Sequence, residues 1–490
     1  MRPILIGLDL GTTLCKCGAF DTEGNLICSA SHKITTNHEI AGGAEQDPAE
    51  WIAALQEVMT AVAGQLGEKR QDIVSIGLSC HGPGVVLTDE AGTPLLPCAI
   101  WQDNRSALCG EALLQEVGCD WVGHGMPKTG FAARVRWLNK EHPEILQRAT
   151  YVHCVKSFLI YVFTGNFVSE PSSSGGIEEW TEELLRACGV RREQLPRVVR
   201  SEDVAGMLKE EIAEKVGFPV VPIVGGLNDG AAAMYGSGAI ELGDGVISVS
   251  TNGISRVVVD KKPTGKYLFE HSLFCWPYVD GKYVMGGFTK SAGDTVQWWQ
   301  DVAFSGVNPK KRMDCFNTEA AQSEPGSRGV CFYPWLLGRG APNATDHAEG
   351  CFWGLARHHS RGDCARAVME GLSYALYDIG LEFRSLGYSW NNIRLTGGAM
   401  KCALWRSIIV NLLGIRCAFV KSDSLLGVAM LAGVGCGIYH DAREAYHKCV
   451  KDIEDAASLE PELSAFYRKA FEKYQASKNI LSQLTELMGR

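Results

Sequence analysis

The chain has 490 residues, of which 46% are hydrophobic and 21% are charged, and its formal net charge at pH 7 is -9. A chain of this length exceeds what one hydrophobic core usually serves, so we predict two or three domains. The acidic balance, without a long basic run, argues against nucleic acid as the main partner, and no apolar run is long enough to predict a membrane span.

The N-terminus and the cysteines indicate the cellular compartment. The first apolar stretch is short and meets Asp9 at once, unlike the apolar part of a signal peptide, so we expect a cytoplasmic protein. The 18 cysteines are scattered and form no C-x-x-C pair. Free thiols in a reducing compartment fit this pattern better than a disulfide framework or a zinc site.

Residues 4–30 contain the first candidate site. An apolar strand runs into Asp9, the bend Gly11-Thr12-Thr13 follows, and a second strand and a turn come after it. Such a bend presents backbone N–H groups and two hydroxyls to an anion, for which phosphate is the obvious candidate. Asp9 can hold a hydrated Mg²⁺, which prefers few carboxylates and several waters. An ordinary tight turn with a capping aspartate is the alternative.

Polar and aromatic residues follow the next predicted strands. Residues 73–95 resemble two strands flanking a turn, with Cys80 and His81 at the end of the first. Trp101 and Asp103 lie just beyond another strand. Clustered aromatic and polar side chains at strand ends suit a polyhydroxylated ligand. The alternatives are a structural histidine and a tryptophan that fills the core.

The segment GGLNDGAAA, residues 225–233, places Asp229 where a buried strand ends and a helix of small residues begins. Open α/β sheets bind ligands at the carboxyl ends of their strands, and a helix N-terminus favours negative charge. Small neighbours also let a substrate approach the carboxylate closely. The alternative is that Asn228 or Asp229 simply caps the helix.

Residues 243–268 repeat the plan of the N-terminus. An apolar strand meets the bend Ser250-Thr251-Asn252-Gly253, and a second strand and a turn follow. Two such units in halves of comparable length predict a duplicated domain with a cleft between the copies. Each copy would then offer a phosphate-binding bend to the cleft.

Two later turns are candidates for a nucleotide site. Gly293 lies in a small-residue turn that opens a tryptophan-rich helix, and Gly397-Gly398 link a strand to a helix within residues 392–414. Glycines let a flat base approach the backbone, although a simple turn would also explain this pair. The sequence has no G-x-x-x-x-G-K-[ST] motif, which excludes a P-loop kinase.

Taken together, these motifs resemble those of the FGGY family of carbohydrate kinases, and of its xylulokinase-like members most, from residue 4 to about residue 445. The most specific part is GCFWGLARHHSRGDCARAVME, residues 350–370, which is similar to the C-terminal signature of the family. The segment ARVRWLNKEHPE, residues 133–144, is similar to the other signature, with Arg134 where lysine is usual.

The resemblance implies an α/β fold of two duplicated actin-like (ribonuclease H-like) domains, with ATP and sugar in the interdomain cleft. Residues 1–244 would form the sugar-binding domain and residues 245–490 the nucleotide-binding domain. Asp229 matches the catalytic base of the family, and Asp9 would orient Mg²⁺ through water. The implied contacts with ATP and its metal are Asp9, Gly11, Thr12, Thr13, Thr251, Asn252, Gly253, Gly293, Gly397, Gly398 and Cys402. The implied sugar contacts are Cys80, His81, Trp101, Asp103, Asp229 and Gly230.

Two of these positions depart from the xylulokinase pattern. Gly230 stands where asparagine is usual, and Cys80 stands where methionine is usual. We expect both changes to leave more room, and one donor fewer, near the hydroxyl that receives the phosphoryl group.

The expected function is ATP-dependent phosphorylation of a ketopentose, with D-xylulose ahead of erythritol, L-xylulose or glycerol. An actin-like ATPase that moves a partner and a sugar-binding regulator without catalysis are the alternatives from other classes. A homodimer is expected only by analogy with relatives.

Overall fold

Two mixed β-sheets, one in each half of the chain, organise the computed structural model, which describes residues 2–122, 128–420, 424–451 and 454–487. The strands are β1 (Ile4–Leu10), β2 (Leu14–Phe20), β3 (Leu26–Lys33), β4 (Glu45–Gln46), β5 (Ile73–Cys80), β6 (Val85–Thr88), β7 (Cys98–Ala99), β8 (Tyr151–Cys154), β9 (Val168–Ser169), β10 (Arg197–Val198), β11 (Val204–Met207), β12 (Pro222–Asn228), β13 (Asp244–Val249), β14 (Gly253–Val259), β15 (Phe274–Pro277), β16 (Tyr283–Thr289), β17 (Cys331–Tyr333), β18 (Cys351–Trp353), β19 (Asn392–Thr396), β20 (Cys417–Phe419) and β21 (Glu454–Asp455).

Helices cover the faces of both sheets. They are α1 (Pro48–Leu66), α2 (Ala107–Val117), α3 (Phe131–Glu141), α4 (Pro143–Arg148), α5 (Val155–Thr164), α6 (Glu182–Cys188), α7 (Glu210–Val216), α8 (Asp229–Gly236), α9 (Gly265–Glu270), α10 (Gly293–Ala303), α11 (Arg312–Gln322), α12 (Arg361–Ser385), α13 (Ala403–Leu413), α14 (Ser424–Gly435), α15 (Ala442–Cys449) and α16 (Pro461–Leu487). Within the described ranges, no helix combines the length and the apolar character needed to cross a membrane. All 18 cysteines are free.

The two sheets share one topology. The first has the order β11-β12-β5-β1-β2-β3, and the second has the order β15-β16-β14-β13-β19-β20-β21. In the first sheet, β1 pairs antiparallel with β2, which follows the first bend, and parallel with the later strand β5. In the second sheet, β13 pairs in the same way, antiparallel with β14 and parallel with β19. The predicted duplication is therefore confirmed. The predicted domain boundary between residues 244 and 245 stays a prediction, and β13 begins at Asp244.

The apolar pattern of β1 follows from the helices on either side of it. Ile6 and Leu8 pack with Trp51 of α1 on one face of the first sheet, whereas Leu5 packs on the other face in the cluster that contains α14. All seven residues of β1 are buried. Strands covered on both faces have such near-continuous apolar sequences.

Helix α14, from the second half of the chain, lies directly on the first sheet. A Cβ atom on Gly7 would lie 2.2 Å from the carbonyl oxygen of Leu425, and one on Gly77 would lie 1.9 Å from that of Val428. A Cβ atom on Gly427 would lie 2.1 Å from the carbonyl oxygen of Ala232 in α8. Backbones can approach this closely only where the side chain is absent. The glycines therefore fix the position of α14 against both the first sheet and α8.

Three parallel strands of the first sheet end side by side. Leu10 of β1 is level with Cys80 of β5, and Cys80 is level with Asn228 of β12. The carboxyl ends of such strands form the edge where open α/β sheets bind ligands. The fold thus brings the candidate residues that follow these strands to one edge.

A buried lysine joins two of these strands near their ends. Nζ of Lys156 in α5 donates to the carbonyl oxygens of Leu78 and Leu227, the second at 2.9 Å. Its charge is balanced by Glu170, whose Oε1 lies 3.9 Å away, and both side chains are fully buried. Burial raises the pKa of Glu170, and the ammonium group of Lys156 opposes that rise.

The same carboxylate continues the connection to Asn228. The backbone N–H and Oγ of Ser172 donate to Glu170 at 2.7 and 3.0 Å. Ser172 Oγ in turn accepts from the backbone N–H of Asn228 at 2.8 Å, and Asn228 Nδ2 donates to the Ser172 carbonyl at 3.0 Å. The residue before Asp229 is therefore held by a chain of hydrogen bonds that starts at the Lys156–Glu170 pair.

We predict that Gly77→Ala lowers the free energy of unfolding by about 1–3 kcal/mol, because the new methyl group would overlap the Val428 carbonyl. Gly64→Ala is the matched control, since Gly64 lies in α1 with no atom within 4 Å of its Cβ position. The control should gain about 0.5–1 kcal/mol from helix propensity. Urea unfolding of both variants measures this difference, and equal stability of the two would contradict the proposed close packing of α14.

Lys156→Met should cost about 3–5 kcal/mol, because it leaves the buried Glu170 carboxylate without its counter-charge. The double variant Lys156→Met/Glu170→Gln should recover part of that loss, since no charge then stays buried. Thermal and urea unfolding of the single and double variants check this. If Lys156→Met were as stable as the wild type, Lys156 would not be neutralising the Glu170 carboxylate.

Candidate active site

Asn228, rather than Asp229, caps the helix at the end of β12. The Asn228 Oδ1 atom accepts from the backbone N–H of Ala231 at 2.8 Å, and α8 begins at Asp229. Asp229 is exposed, and its Oδ1 accepts only a local hydrogen bond, from the N–H of Gly230 at 2.6 Å. The capping alternative considered for this segment therefore belongs to Asn228. The Asp229 carboxylate is available to a ligand.

The surroundings of Asp229 raise its pKa to about 6. The largest cause is desolvation of the carboxylate by the surrounding protein, and the next is the negative charge of Asp9. The N–H of Gly230 and the positive charges of Arg256 and Lys16 act in the opposite direction. A carboxylate with this pKa is mostly ionised at pH 7 and can accept a proton.

Asp9, near the end of β1, keeps one carboxylate oxygen free. Its Oδ2 accepts from Lys16 Nζ at 3.3 Å and from Ser424 Oγ of α14 at 2.8 Å. Its Oδ1 is buried and has no hydrogen-bond partner among the residues that the structure describes. A buried, unpaired carboxylate oxygen beside a phosphate-type bend fits the donor set of a hydrated Mg²⁺.

The first bend also connects to the candidate sugar side. The backbone N–H of Gly11 donates to the Leu14 carbonyl at 3.0 Å and closes the turn. Thr12 Oγ1 accepts from Trp101 Nε1 at 2.8 Å, whereas Thr13 is exposed. The indole of Trp101 is thus held against the bend, so the two predicted groups of residues lie together.

His81 is buried beside Asp9 with unsatisfied ring nitrogens. Its backbone N–H donates to the Leu10 carbonyl at 2.8 Å, and its ring meets Trp51 edge-on at 5.4 Å. Within the described parts of the chain, neither ring nitrogen has a hydrogen-bond partner. Burial lowers the pKa of His81 to about 4, so the ring is neutral at pH 7 and can both donate and accept. Unpaired polar atoms of this kind indicate a water or ligand partner.

Two other sugar-side candidates, Cys80 and Asp103, are buried among other protein groups. Cys80 is fully buried between β1 and β12, and burial raises the pKa of its thiol well above the usual range. The Asp103 carboxylate is fully buried and accepts from Arg105 and from the N–H of Ala44 at 2.9 Å. Arg134 Nη2 donates to the Asp103 carbonyl at 2.9 Å. These contacts favour a supporting role for Asp103 over direct contact with sugar, which stays a prediction.

The nucleotide-side candidates meet around the second bend. The N–H of Gly293 donates to the carbonyls of Ser250 and Thr251 at 2.8 and 2.9 Å, and the N–H of Gly253 donates to Thr289 Oγ1 at 3.0 Å. A Cβ atom on Gly397, whose φ is +96°, would lie 2.3 Å from the Val249 carbonyl. The predicted bend therefore touches the turn at Gly293, and the turn at Gly397 packs on the end of β13 just before the bend.

The outer part of this turn faces open space. Gly398 is exposed, and no atom lies within 4 Å of its Cβ position. The half-buried Cys402 follows on the same turn, where its N–H donates to the Ala399 carbonyl at 3.1 Å. A flat ring could approach the backbone here, although the contact itself stays a prediction.

Arg256 is a site residue that sequence reasoning missed. It lies on β14, past the second bend, and is only 7% exposed. Its Nη2 atom and Cζ3 of Trp276 would each lie 3.0 Å from a Cβ atom on Gly230. The expectation of additional room at Gly230 is therefore wrong, because a guanidinium and an indole from the second sheet occupy that space. The period-two alternation of β14 was the available signal, since it puts Arg256 on one face with Ile254 and Val258.

Lys16, Ser424, Lys156 and Glu170 were also missed. Lys16 contacts Asp9 across the β1–β2 hairpin, and the other three support candidate residues through contacts between different elements of the fold. No local motif marks such pairs, so only the fold reveals them.

Comparison with known proteins gives a consistent result. The model of the FGGY family of carbohydrate kinases, N-terminal domain, matches residues 4–236, and that of the C-terminal domain matches residues 255–436. The xylulose kinase of Lactococcus lactis subsp. lactis (strain IL1403) is 27% identical over 516 residues, covering 98% of each chain. The gluconokinase of Bacillus subtilis (strain 168) is 28% identical over 478 residues, covering 92% of this chain and 90% of the relative.

A solved structure agrees over the same length. The ligand-bound xylulose kinase of Lactobacillus acidophilus superimposes with a TM-score of 0.88 at 25% identity, covering 98% of each chain. The predicted two-domain, actin-like fold is thereby confirmed. Since the two family models together match most of the sequence, this protein belongs to the FGGY family of carbohydrate kinases and is a sugar kinase.

Proposed function

We propose that this sugar kinase transfers the γ-phosphoryl group of ATP to a terminal hydroxyl of a small open-chain sugar, with Asp229 as the general base. ATP is the phosphoryl donor that the family implies. The observation that carries the proposal is the state of Asp229. Its capping role is taken by Asn228, its carboxylate is exposed, and its pKa is about 6.

In the proposed step, the hydroxyl oxygen of the sugar forms a bond to the γ-phosphorus as the bond from that phosphorus to the β–γ bridging oxygen breaks. The hydroxyl proton moves to the Asp229 carboxylate, and ADP leaves with the bridging oxygen. Phosphoryl transfer of this kind depends chiefly on positioning and on neutralising charge. General base assistance typically adds about 10²–10⁴-fold.

Asp9 is the residue that would hold Mg²⁺, through water. Its free Oδ1 atom supports this assignment, and the described residues contain no group of three or more His, Cys, Asp or Glu side chains that could hold a metal by themselves. When bound, Mg²⁺ neutralises phosphate charge. Few protein ligands are what this ion requires when phosphates and water complete its shell.

The two bends are proposed to hold the phosphates from opposite sides. In the first, the N–H groups and hydroxyls of Thr12 and Thr13 are the donors, and in the second, those of Thr251 to Gly253. Gly293, the Gly397-Gly398 turn and Cys402 would border the adenosine. The contact of Gly293 with the second bend, and that of Gly397 with Val249 just before it, support that arrangement.

D-xylulose is the substrate proposed from the sequence, and the similar xylulose kinase of L. lactis supports it. His81 and Trp101 would contact its hydroxyls and carbon chain. Gluconate is a second candidate, because the B. subtilis gluconokinase is equally similar and because Arg256 lies beside Gly230. An assay of ADP release against a panel of ketoses, sugar acids and polyols separates them. The same panel excludes a partner-driven ATPase if turnover requires a sugar. A homodimer stays a prediction.

Asp229→Asn should lower kcat by at least about 10²-fold with every accepted sugar, because the amide cannot take the hydroxyl proton. ATP affinity should change little, since the phosphate-binding bends are unaltered. Sugar phosphate formation and ATP binding are measured in parallel, with Asp301→Asn, a half-exposed surface residue, as the matched control. Normal turnover in Asp229→Asn would remove it from the reaction.

The pH profile of kcat/KM should show an acid limb near pH 6. Asp229 is active as the unprotonated base, and its raised pKa of about 6 means that it gains a proton as the pH falls through that value. The rate should therefore drop about tenfold per pH unit below the limb and stay level above it. Quenched assays of sugar phosphate from pH 5 to 8, with recovery of activity at pH 8 as the control, test this. A level profile down to pH 5 is the contrary result.

A further inference from the structure

We propose that Arg256 and Gly230 form a carboxylate-binding subsite, and that this subsite makes a sugar acid of the aldonate class, rather than the D-xylulose suggested by the sequence, the preferred acceptor of this kinase. The inference rests on the proposed function and names the substrate class of the same site. Its basis is a buried guanidinium with an unsatisfied Nε atom, placed at the first turn of α8 near the catalytic carboxylate.

The surrounding protein does not fully satisfy the Arg256 guanidinium. The side chain is 7% exposed, and its Nε atom is buried without a hydrogen-bond partner among the described residues. The main negative charge that acts on it is that of Asp229, the proposed base. Burial lowers its pKa only to about 10, so it stays charged at neutral pH. A buried charge is costly unless an opposite charge accompanies it. A bound anion supplies that charge.

The register of β14 directs this arginine towards α8. Ser255 points to the opposite face, where its Oγ donates to the Leu376 carbonyl of α12 at 2.8 Å. Ile254 and Val258, two positions either side of Arg256, belong to the cluster that packs on α8 and α14. The guanidinium consequently reaches the first turn of α8, with Nη2 3.0 Å from the Cβ position of Gly230.

The absence of a side chain at Gly230 is what lets the Arg256 guanidinium approach the first turn of α8. A Cβ atom there would be in tight contact with both Arg256 Nη2 and the Trp276 ring, each at 3.0 Å. A longer side chain, such as the asparagine usual in xylulokinases, would displace the guanidinium. Gly230 and Arg256 therefore act as a matched pair across the two sheets.

The anion belongs to the acceptor rather than to ATP. Arg256 lies three residues beyond Gly253, the last residue of the second bend, which is about 10 Å along the strand. Its Nη2 atom lies beside the Cβ position of Gly230, in the first turn of α8. Arg256 also acts electrostatically on Asp229 without forming an ion pair with it. An acceptor with a hydroxyl at Asp229 and a carboxylate at Arg256 fits between them.

Aldonates carry these two groups at opposite ends of one open chain. The planar guanidinium can bind a carboxylate through two parallel hydrogen bonds. A neutral sugar would leave the guanidinium unpaired, and sites built around a charged partner discriminate strongly against analogues that lack it. The preference is thus set by one charge pair on the sugar side of the cleft.

The first experiment compares D-gluconate with D-glucitol, which has the same carbon chain but a hydroxymethyl group in place of the carboxylate, and with D-xylulose. The wild-type enzyme should show a kcat/KM for gluconate about ten- to a hundred-fold above both neutral acceptors. A preference for D-xylulose or glucitol overturns the subsite but leaves the kinase proposal standing. ADP release with no member of the wider panel of ketoses, sugar acids and polyols contradicts the kinase proposal.

Equilibrium binding decides the subsite independently of turnover. Calorimetry with gluconate and glucitol, on the same protein and without ATP, should show tighter binding of gluconate in the wild type. Arg256→Gln should lose about ten- to a hundred-fold more in gluconate affinity and kcat/KM than in those for D-xylulose, because only gluconate loses a charge pair. The matched control is Arg443→Gln, which removes an exposed arginine paired with Glu241. Equal losses for acid and neutral acceptors would contradict the proposal.

Gly230→Asn provides a second variant that keeps every charge, in case Arg256→Gln does not fold. It should lower the ratio of gluconate to D-xylulose kcat/KM by about tenfold or more by displacing the guanidinium. Thermal unfolding of each variant verifies the fold. An unchanged ratio in folded Gly230→Asn overturns the pairing of Gly230 with Arg256.

Discussion

The close seating of α14 on the first sheet is the contact on which the rest of the site depends. Gly7 and Gly77 let the helix backbone touch the strands, and Gly427 does the same for α8. Ser424, at the start of this helix, then reaches Asp9 at 2.8 Å. A helix from the second half of the chain thereby helps to hold the carboxylate that precedes the first bend. Larger side chains at these glycines would separate the two halves.

Charge balance is the second organising constraint. The first sheet buries Lys156 against Glu170 and uses the pair to hold Asn228 through Ser172. Because Asn228 caps α8, the carboxylate of Asp229 is not needed for capping. Buried polar networks of this kind are costly when incomplete and rigid when complete. Asp229 thus gains a defined position without using its own carboxylate for support.

The two halves do not divide substrate recognition cleanly. His81 and Trp101, the sugar-side candidates, come from the first half, and the second bend and the glycine turns come from the second. Arg256 nevertheless crosses from the second sheet to the first turn of α8. The sugar side of the cleft is therefore built from both halves, and its electrostatics depend on how the two sheets face each other.

The sequence by itself determined the duplicated strand–bend–strand plan and the place of Asp229, because period-two alternation and turn residues are local signals. It could not reveal the Lys156–Glu170 pair, the contact of Ser424 with Asp9, or the hydrogen bond from Ala44 to Asp103, because each joins residues that only the folded chain brings together. Gly230 illustrates the difference. The missing side chain was read as empty space, but only the tertiary structure shows that Arg256 fills it, since occupancy depends on the neighbouring sheet and not on the residue itself.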